Sequence, residues 1–512
     1  MSSAGARAVS EFGPFTPDRN DATTIAANTA TINRAIAEVG RAGGGTICLP
    51  PGTYHLAPAD LRTFPVAAVI VNADNITLWG AGMDGSRGGT RLRTRSEYSV
   101  INGSVVRGAG LWILGTQGGS PRRNITLRDF ELDGGAGFTG NFGWPADPTT
   151  GDGWDITHKG IVLAADDNVD QVTLERVWVH SYRGEVIYAG GMGLGRVTVR
   201  GIRSEDTNAS TFNMTGVLSV EDSYFGKSRF WIEIGTHFAG KSGVFRNNTF
   251  KDAARDGAIA LAQGDGSVQP YTFENNRFEN CGGATFYFGG GVGGPVQIRN
   301  NTFVGCGGIF TGYAPNPLPG GRPENQNITF ENNTLEGGGY LAYFFGTDRN
   351  IVVRGNTFRN PQPNKAAATA VFYCCGNYQG VVVENNTFIN MRGPEQTAAF
   401  GGERPLFRNN RYQDIEIRDG QGGAALYGNN GYLRPLFEQS WVASLVGNVS
   451  GLNIETTAYP DGQETTISVE AGTISLPAVS ASYELSGPRV LTTGSTLKLR
   501  FSKAKGKWIE AP

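Results

Sequence analysis

The six letters FRNNTF at 245–250 return down the chain as FENNRF (273–278), IRNNTF (298–303) and FENNTL (330–335), then as VRGNTF (353–358), VENNTF (383–388) and FRNNRY (407–412). With the third letter of each copy as a marker, the positions are 247, 275, 300, 332, 355, 385 and 409. Degenerate copies upstream, LRDFEL, LERVWV, VRGIRS and VEDSYF, put markers at 129, 176, 201 and 222. A loose period in the twenties is the mark of a solenoid, in which each repeat buries its apolar face only against its neighbours.

The residue types select the kind of solenoid. There is no leucine-rich signature and no pair of helical stripes per repeat. Each copy holds short strand-like runs such as GIVLA, FWIEI, AIALA and ATFYF, with apolar residues alternating at period two. In FRNNTF, Phe245 and Phe250 are expected to point inward and Arg246 and Thr249 outward. The Asn pair marks a bend, because Asn tolerates the left-handed backbone a tight corner needs. Stacked coil upon coil, such side chains can bond along their own column while buried. The fold expected is all-β: parallel strands about 4.8 Å apart, wound as a β-helix.

Composition narrows the function classes. The 75 glycines follow no strict Gly-X-Y period, which excludes collagen. An apolar content of 39% with 28 Phe and 17 Tyr is too high for a disordered chain. A formal net charge of -2 gives no basic field toward nucleic acid or an anionic membrane, so neither is expected as a partner. No run approaches a membrane span, and MSSAGARAVSEFGPF lacks the apolar core of a signal peptide. The five cysteines show no zinc spacing. Cys281 and Cys306 stand alike in neighbouring repeats and read as small buried residues, with a disulfide compatible with the spacing but not required. No cofactor or metal site is expected. The acidic run at Asp166, Asp167 and Asp170 reads as a soluble loop rather than a calcium site.

The segment NDATTIAANTATINRAIAEVGRAGGGTICLPPGTYHL (20–56) resembles the opening of proteins in the pectate-lyase-like superfamily of right-handed parallel β-helices, phage tailspike depolymerases among them. Ile32, Ala35, Ile36 and Val39 form a helical stripe over about 29–39, which Gly40 is expected to stop. A helix there would cover the open end of the β-helix and shield an edge prone to aggregation. The resemblance implies a right-handed parallel β-helix with an N-terminal capping helix and a small C-terminal β-region. The divisions expected are 1–44 for the N-terminal segment and cap, 45–430 for the β-helix, and 431–512 for a β-rich cap, oligomerisation or sugar-binding region. PLFEQSWVASLVGN, near the last boundary, reads as a short amphipathic helix. The superfamily holds lyases, hydrolases, epimerases and non-catalytic spikes, so fold alone does not choose among them.

Candidate chemistry follows from outward columns. In FWIEIG, Ile232 and Ile234 inward would put Trp231 and Glu233 outward. In GEVIY, Val186 and Tyr188 inward would put Glu185 outward, and Asp256 precedes an inward Ile259 and Leu261. Glu185, Glu233 and Asp256 are therefore the candidate catalytic carboxylates. Glu185 and Glu233, two coils apart, would have backbones about 9–10 Å from each other, near the roughly 6.5–9.5 Å carboxyl separation of inverting glycosidases. Candidate substrate-binding residues are Trp144, Trp154, Asp155, His158, Lys159, Tyr188, Asn213, Arg229, Trp231 and His237. Several lie in or after the long Gly-rich insertion 133–160, where Phe138, Phe142, Trp144 and Trp154 can stack on sugar rings. The reading is an extracellular or virion-borne polysaccharide depolymerase, a homotrimer associated with a phage tail or baseplate, acting by hydrolysis. The alternatives are a polysaccharide lyase, with Lys159, His158 or Arg229 as base, and a non-catalytic sugar-binding or structural spike.

Overall fold

The protein is described by a computed structural model, from residue 5 onward. It leaves out 117–119, 164–167, 190–193, 235–240, 255–257, 262–269, 290, 313–323, 363–368, 374–377, 392, 398–404, 409, 419–431, 434–441, 451–452, 455 and 457–460. Two compact units are present, one ending at Gly282 and the other beginning at Gly283. The fold is a right-handed parallel β-helix: strands dominate, and they pair in parallel with partners one coil away.

In the first unit the strands make three ladders. One runs through Gly45–Cys48, Ile76–Trp79, Arg196–Arg200, Val217–Glu221, Ser242–Arg246 and Tyr271–Glu274. A second runs through Gly52–Leu56, Thr90–Thr94, Arg203–Thr207, Tyr224–Phe225, Thr249–Lys251 and Arg277–Glu279. The long strands Arg122–Asp133 and Val169–Tyr182 bend at Asp129 and Arg176 and serve both. The third ladder is Ala67–Val71, Ala109–Ile113, Ile161–Leu163, Ile187–Ala189, Ser210–Met214, Phe230–Ile234 and Ile259–Leu261. Its inward column, Val69, Leu111, Ile161, Ile187, Phe212, Ile232 and Ile259, is in register and wholly buried. The Phe residues of the repeat stack in the same sense, Phe245 on Phe273 at 4.6 Å and Phe250 on Phe278 at 4.9 Å between centroids.

The corner residues behave as their chemistry requires. The markers Asp129, Arg176, Gly201, Asp222, Asn247, Asn275, Asn300, Asn332, Gly355 and Asn385 all have φ between 49° and 64°. The Asn that follows is buried and joined to its counterpart one coil on. In the first unit, Asn248 donates from its backbone N–H (2.9 Å) and its amide (3.0 Å) to the Asn276 oxygen. In the second, Asn301, Asn333, Asn356, Asn386 and Asn410 repeat this link four times. The amides of Asn248, Asn276, Asn333, Asn356, Asn386 and Asn410 also donate to a strand carbonyl of the preceding coil, as Asn333 does to Ile298 at 2.9 Å. The ladder thus supplies partners for buried backbone that a turn would otherwise leave unpaired.

The helix α1 spans Ala22–Arg41, longer at both ends than the apolar stripe indicated, with Asp21 accepting from the Thr24 N–H at its start. Gly40 does not stop it. The stop comes at Gly43 and Gly44, both at positive φ, while a Cβ on Gly40 would lie 2.3 Å from that of Ala73. Gly40 is therefore a site of close approach. Ile32, Ala35, Ile36 and Val39 face the coil and are buried. Asn33 accepts from the Ile70 N–H at 2.8 Å and donates to the Ala68 carbonyl at 2.9 Å. Asn28 and Thr29 do the same for the backbone of Thr16, His55 and Ala57. The cap works by hydrogen-bonding backbone of the first coil as well as by covering it.

In the second unit parallel pairing continues beyond the expected boundary at 430. Val442–Ser450 lies between Arg411–Arg418 and Glu464–Leu476, parallel to both. Among the described strands of the second unit, Arg489–Thr492 and Thr496–Ser502 pair antiparallel with Glu464–Leu476, and Lys507–Glu510 with Thr496–Ser502. Of the expected helix near 435–448, residues 434–441 lie outside the described set and the rest is strand. Trp508 is buried beside Phe501, with 5.3 Å between centroids. Cys281 and Cys306 are both buried as thiols.

Candidate functional site

On the outer side of the third ladder, register aligns Ile70, Trp112, Val162, Tyr188, Asn213, Glu233 and Ala260 in one column. The column begins apolar, with Ile70, Trp112 and Tyr188 packed around Val162, and becomes polar at Asn213 and Glu233. Glu233 therefore faces outward as the strand pattern required, while Tyr188, expected inward, shares its column. Glu185 is not in that column. It stands three residues before Tyr188, two before the strand Ile187–Ala189 begins, and is 3% exposed.

There Glu185 meets Lys159. The Lys159 Nζ lies 2.8 Å from a Glu185 carboxylate oxygen and 3.3 Å from the centroid of the Tyr188 ring. Lys159 is 7% exposed, so the ammonium is held by an ion pair and a cation–π contact at once. Burial pushes the Glu233 carboxyl up to about 7. The Glu185 charge pushes the same way, and the Ser210 hydroxyl, Arg229 and Lys159 oppose it. The site thus joins one carboxyl able to keep its proton near neutrality to a carboxylate paired with a cation.

The insertion 133–160 is anchored beside this cluster. The Arg107 side chain, 5% exposed, donates to Asp155 at 2.8 Å, to the Gly151 carbonyl at 2.7 Å and to the Ser96 carbonyl at 2.8 Å. Asp155 is correspondingly buried and also accepts from Thr157. Arg183 binds Asp152 at 2.7 Å and Thr139 at 2.9 Å. Asp206 and Asn208 accept from the backbone of Phe138 and Thr139. The Arg229 guanidinium lies over Phe230 (5.0 Å) and Phe142 (5.7 Å). Trp144 is exposed and 5.6 Å from the partly exposed Trp154.

Three expected contacts with substrate are displaced. Trp231 is wholly buried against Phe250 and Phe278, and its indole N–H donates to the Lys251 carbonyl at 3.1 Å. The N–H groups of Trp231 and Ile232 both point at the Ala258 carbonyl, at 2.8 and 3.1 Å. That irregularity at the strand's start breaks the alternation and turns Trp231 inward. His158 is also buried, against Tyr182, and its Nδ1 accepts from the Arg183 N–H at 3.1 Å. Burial first, then the charges of Arg107 and Arg183, hold it well below the usual imidazole range. Asp155 holds the insertion rather than facing a groove. Asp256 and His237, like Asp166 and Asp167, lie outside the described residues. Asp170 accepts from the Arg196 N–H at 2.8 Å.

Trp112, Ser210, Arg107 and Arg183 went unrecognised in the sequence. Trp112 sits within AGLWILG, an all-apolar run in which nothing distinguishes an outward position. Among the described residues one trio, Glu131, Asp133 and His180, brings potential metal-ligand atoms within 4.8 Å of one another. Arg91 and the Gly85 N–H already hold Glu131, at 2.6 and 2.8 Å, and the Gly135 N–H holds Asp133 at 2.8 Å. The trio is thereby knit into a hydrogen-bonded network with its carboxylates engaged.

Residues 234–430 match the family model described as right handed beta helix region. Over 153 residues the chain is 31% identical to mannuronan C5-epimerase AlgE6 of Azotobacter vinelandii, a stretch covering 30% of this chain and 14% of that relative. Among solved structures, the A-module of mannuronan C-5 epimerase AlgE4 of the same organism aligns at 18% identity and TM-score 0.48, over 83% of this chain and 98% of that one. DFA-IIIase of Arthrobacter chlorophenolicus A6 aligns at 15% identity and TM-score 0.45, over 83% and 97%. The Dettilon tailspike protein aligns at 12% identity and TM-score 0.42, over 97% and 76%. No helix among the described residues is long and apolar enough to cross a membrane.

Proposed function

We propose that the protein is a carbohydrate-active enzyme that cleaves glycosidic bonds of a bacterial surface or exopolysaccharide by hydrolysis. The observation that carries this reading is Glu233, an outward carboxyl that keeps its proton to about pH 7 beside a second, ion-paired carboxylate. In this reading Glu233 protonates the leaving oxygen, the general-acid role that a raised pKa suits. Glu185, ion-paired with Lys159, stabilises the positive charge that develops on the sugar or activates water. Tyr188, Asn213 and Trp112 line the floor, and Trp144, Trp154 and Arg229 bound the side. An outer apolar-to-polar column fits a sugar polymer, whose rings offer C–H faces and hydroxyl edges. The protein would act outside the cell or on a virion, as a homotrimer carried on a phage tail or baseplate.

A second reading is favoured by the 153-residue likeness to a mannuronan C5-epimerase. Epimerisation and lyase cleavage of a uronate polymer both begin with removal of the proton beside the carboxylate. Arg229, partly exposed and near Glu233, is a cation that would neutralise such a group. One experiment separates the readings. The purified protein is incubated with mannuronan and with neutral and acidic bacterial polysaccharides. Reducing ends without ultraviolet absorbance mean hydrolysis. Absorbing, unsaturated ends mean a lyase, and an altered sugar without new ends means an epimerase. No change in any polymer would leave a binding protein.

A further inference from the structure

We propose that the second unit carries a sugar-binding platform of its own, formed by the outward rings of Tyr287, Phe310 and Tyr343 with Phe345 beside them, which holds an extended polysaccharide lengthwise. The proposal rests on the reading that the ligand is a polysaccharide, and its test separates the two. The strands Ala284–Phe288, Gly307–Thr311 and Ala342–Phe344 pair in parallel, with Tyr287, Phe310 and Tyr343 in register. Each of these rings occupies the partly exposed position of a strand whose other positions are buried. Centroids are 5.4 Å apart between Tyr287 and Phe310 and 4.7 Å apart between Phe310 and Tyr343. Phe345, 39% exposed, lies 6.3 Å from Tyr343 and 6.5 Å from Phe310. The same register carries the column's next position to Phe372.

Among the described residues of these coils, the outward aromatic column belongs to this ladder. The corresponding outward positions of the other two ladders hold Gln297, Thr329 and Val352, and Thr302, Thr334 and Thr357. A contiguous outward aromatic column, unlike apolar side chains scattered singly, is the kind of surface that marks a binding site. Its geometry selects the occupant. The column, flanked by Phe345 and by Tyr340 at 5.7 Å from Tyr343, advances one strand spacing per ring, about 4.8 Å, comparable with the advance of a sugar in an extended chain. Four rings, each mostly covered, leave on the order of 200–300 Å² exposed. A second copy of the chain would need roughly 800 Å² per partner. The rings carry no charge, so recognition falls on the apolar faces of sugars and should be insensitive to salt.

The test is affinity electrophoresis in gels containing, in turn, mannuronan, xylan, a mixed-linkage β-glucan and a bacterial capsule preparation. The parent, Phe310→Ala/Tyr343→Ala and Phe345→Ala are compared at low and high salt. Melting temperature, light scattering and release of products from short oligosaccharides are measured alongside. The expected result is retardation of the parent by at least one polymer. The double variant should lose about tenfold in affinity and Phe345→Ala a few-fold, with oligosaccharide turnover and association state unchanged. Should the double variant fail to fold, Phe345→Ala decides, since its ring is the most exposed. No retardation of the parent, equal retardation of the variants, or an altered association state with polymer affinity intact would each overturn the platform. Ring-dependent retardation without any turnover would keep the platform and remove the cleavage reading. Turnover without ring dependence would do the reverse.

Discussion

Glu233 and Lys159 are the residues on which the site's chemistry turns. A carboxyl raised to about 7 is protonated, and so a competent acid, through the mildly acidic range, and it loses that capacity as pH rises past 7. Hydrolysis should therefore fall on the alkaline side with a midpoint near 7 in the pH profile of kcat/KM. Replacement by Gln keeps the shape and removes the proton. Glu233→Gln should lower turnover by about 10²–10⁴ with polymer affinity largely kept, measured by reducing-end release and separately by binding. A variant that turned over normally would move the acid elsewhere. Lys159 tests the pairing itself. Its removal leaves Glu185, 3% exposed, without its cation. Lys159→Met should cost about 3–5 kcal/mol in urea unfolding, and adding Glu185→Gln should restore most of it. A double variant whose cost equals the sum of the Lys159→Met and Glu185→Gln costs would mean that the ion pair adds no coupling.

The coil's corner is the element that makes the fold readable. The αL marker depends only on local backbone preference, so Asn247, Asp222 and Gly201 announced it without knowledge of neighbours. Even Arg176 fits, at φ 49°, because the spacing rather than the residue type identified its corner. The buried Asn beside the marker was legible for the same reason. Asn333 accepts from the Asn301 N–H at 2.9 Å and donates to Ile298 at 2.9 Å and to Asn356 at 3.1 Å. Asn333→Ala would orphan a buried N–H and a carbonyl and should destabilise by about 2–4 kcal/mol, against well under 1 for Thr334→Ala on the outer face. Chemical denaturation of both variants checks this. What was not legible lay where tertiary geometry overrides local pattern. Period-two alternation put Trp231 outside, but the doubled donation to the Ala258 carbonyl reset the phase before Ile232. Gly40 looked like a helix stop because its real constraint, the Ala73 side chain, is 33 residues away. Asp155 and His158 looked like groove residues because the buried Arg107 that engages one and pushes on the other lies far upstream in sequence.

At the scale of the whole molecule, stability has to survive an interior built on stacked polar corners and a few buried acids. Asp348 is the test case. It is wholly buried, accepts from Thr311 at 2.7 Å and Asn325 at 3.2 Å, and burial pushes its carboxyl up to about 7 against the opposing pull of those two bonds. Below about pH 4 the group is protonated in both the folded and the unfolded chain and the fold loses nothing. Between about pH 4 and 7 the unfolded chain ionises while the folded one keeps its proton, so stability drains away as pH rises, and above 7 the loss is complete. The span corresponds to a loss of about 4 kcal/mol. Paired carboxylates such as Asp129 and Glu131, held below their ordinary range, act in the opposite direction at low pH. Only the difference between parent and variant therefore isolates Asp348. Asp348→Asn should match or slightly trail the parent at pH 4 and exceed it at pH 8, in the unfolding of the second unit followed by urea titration across that range. A difference that does not change with pH would mean that Asp348 titrates no differently in the folded protein, and that the Thr311 and Asn325 bonds hold it charged inside the coil.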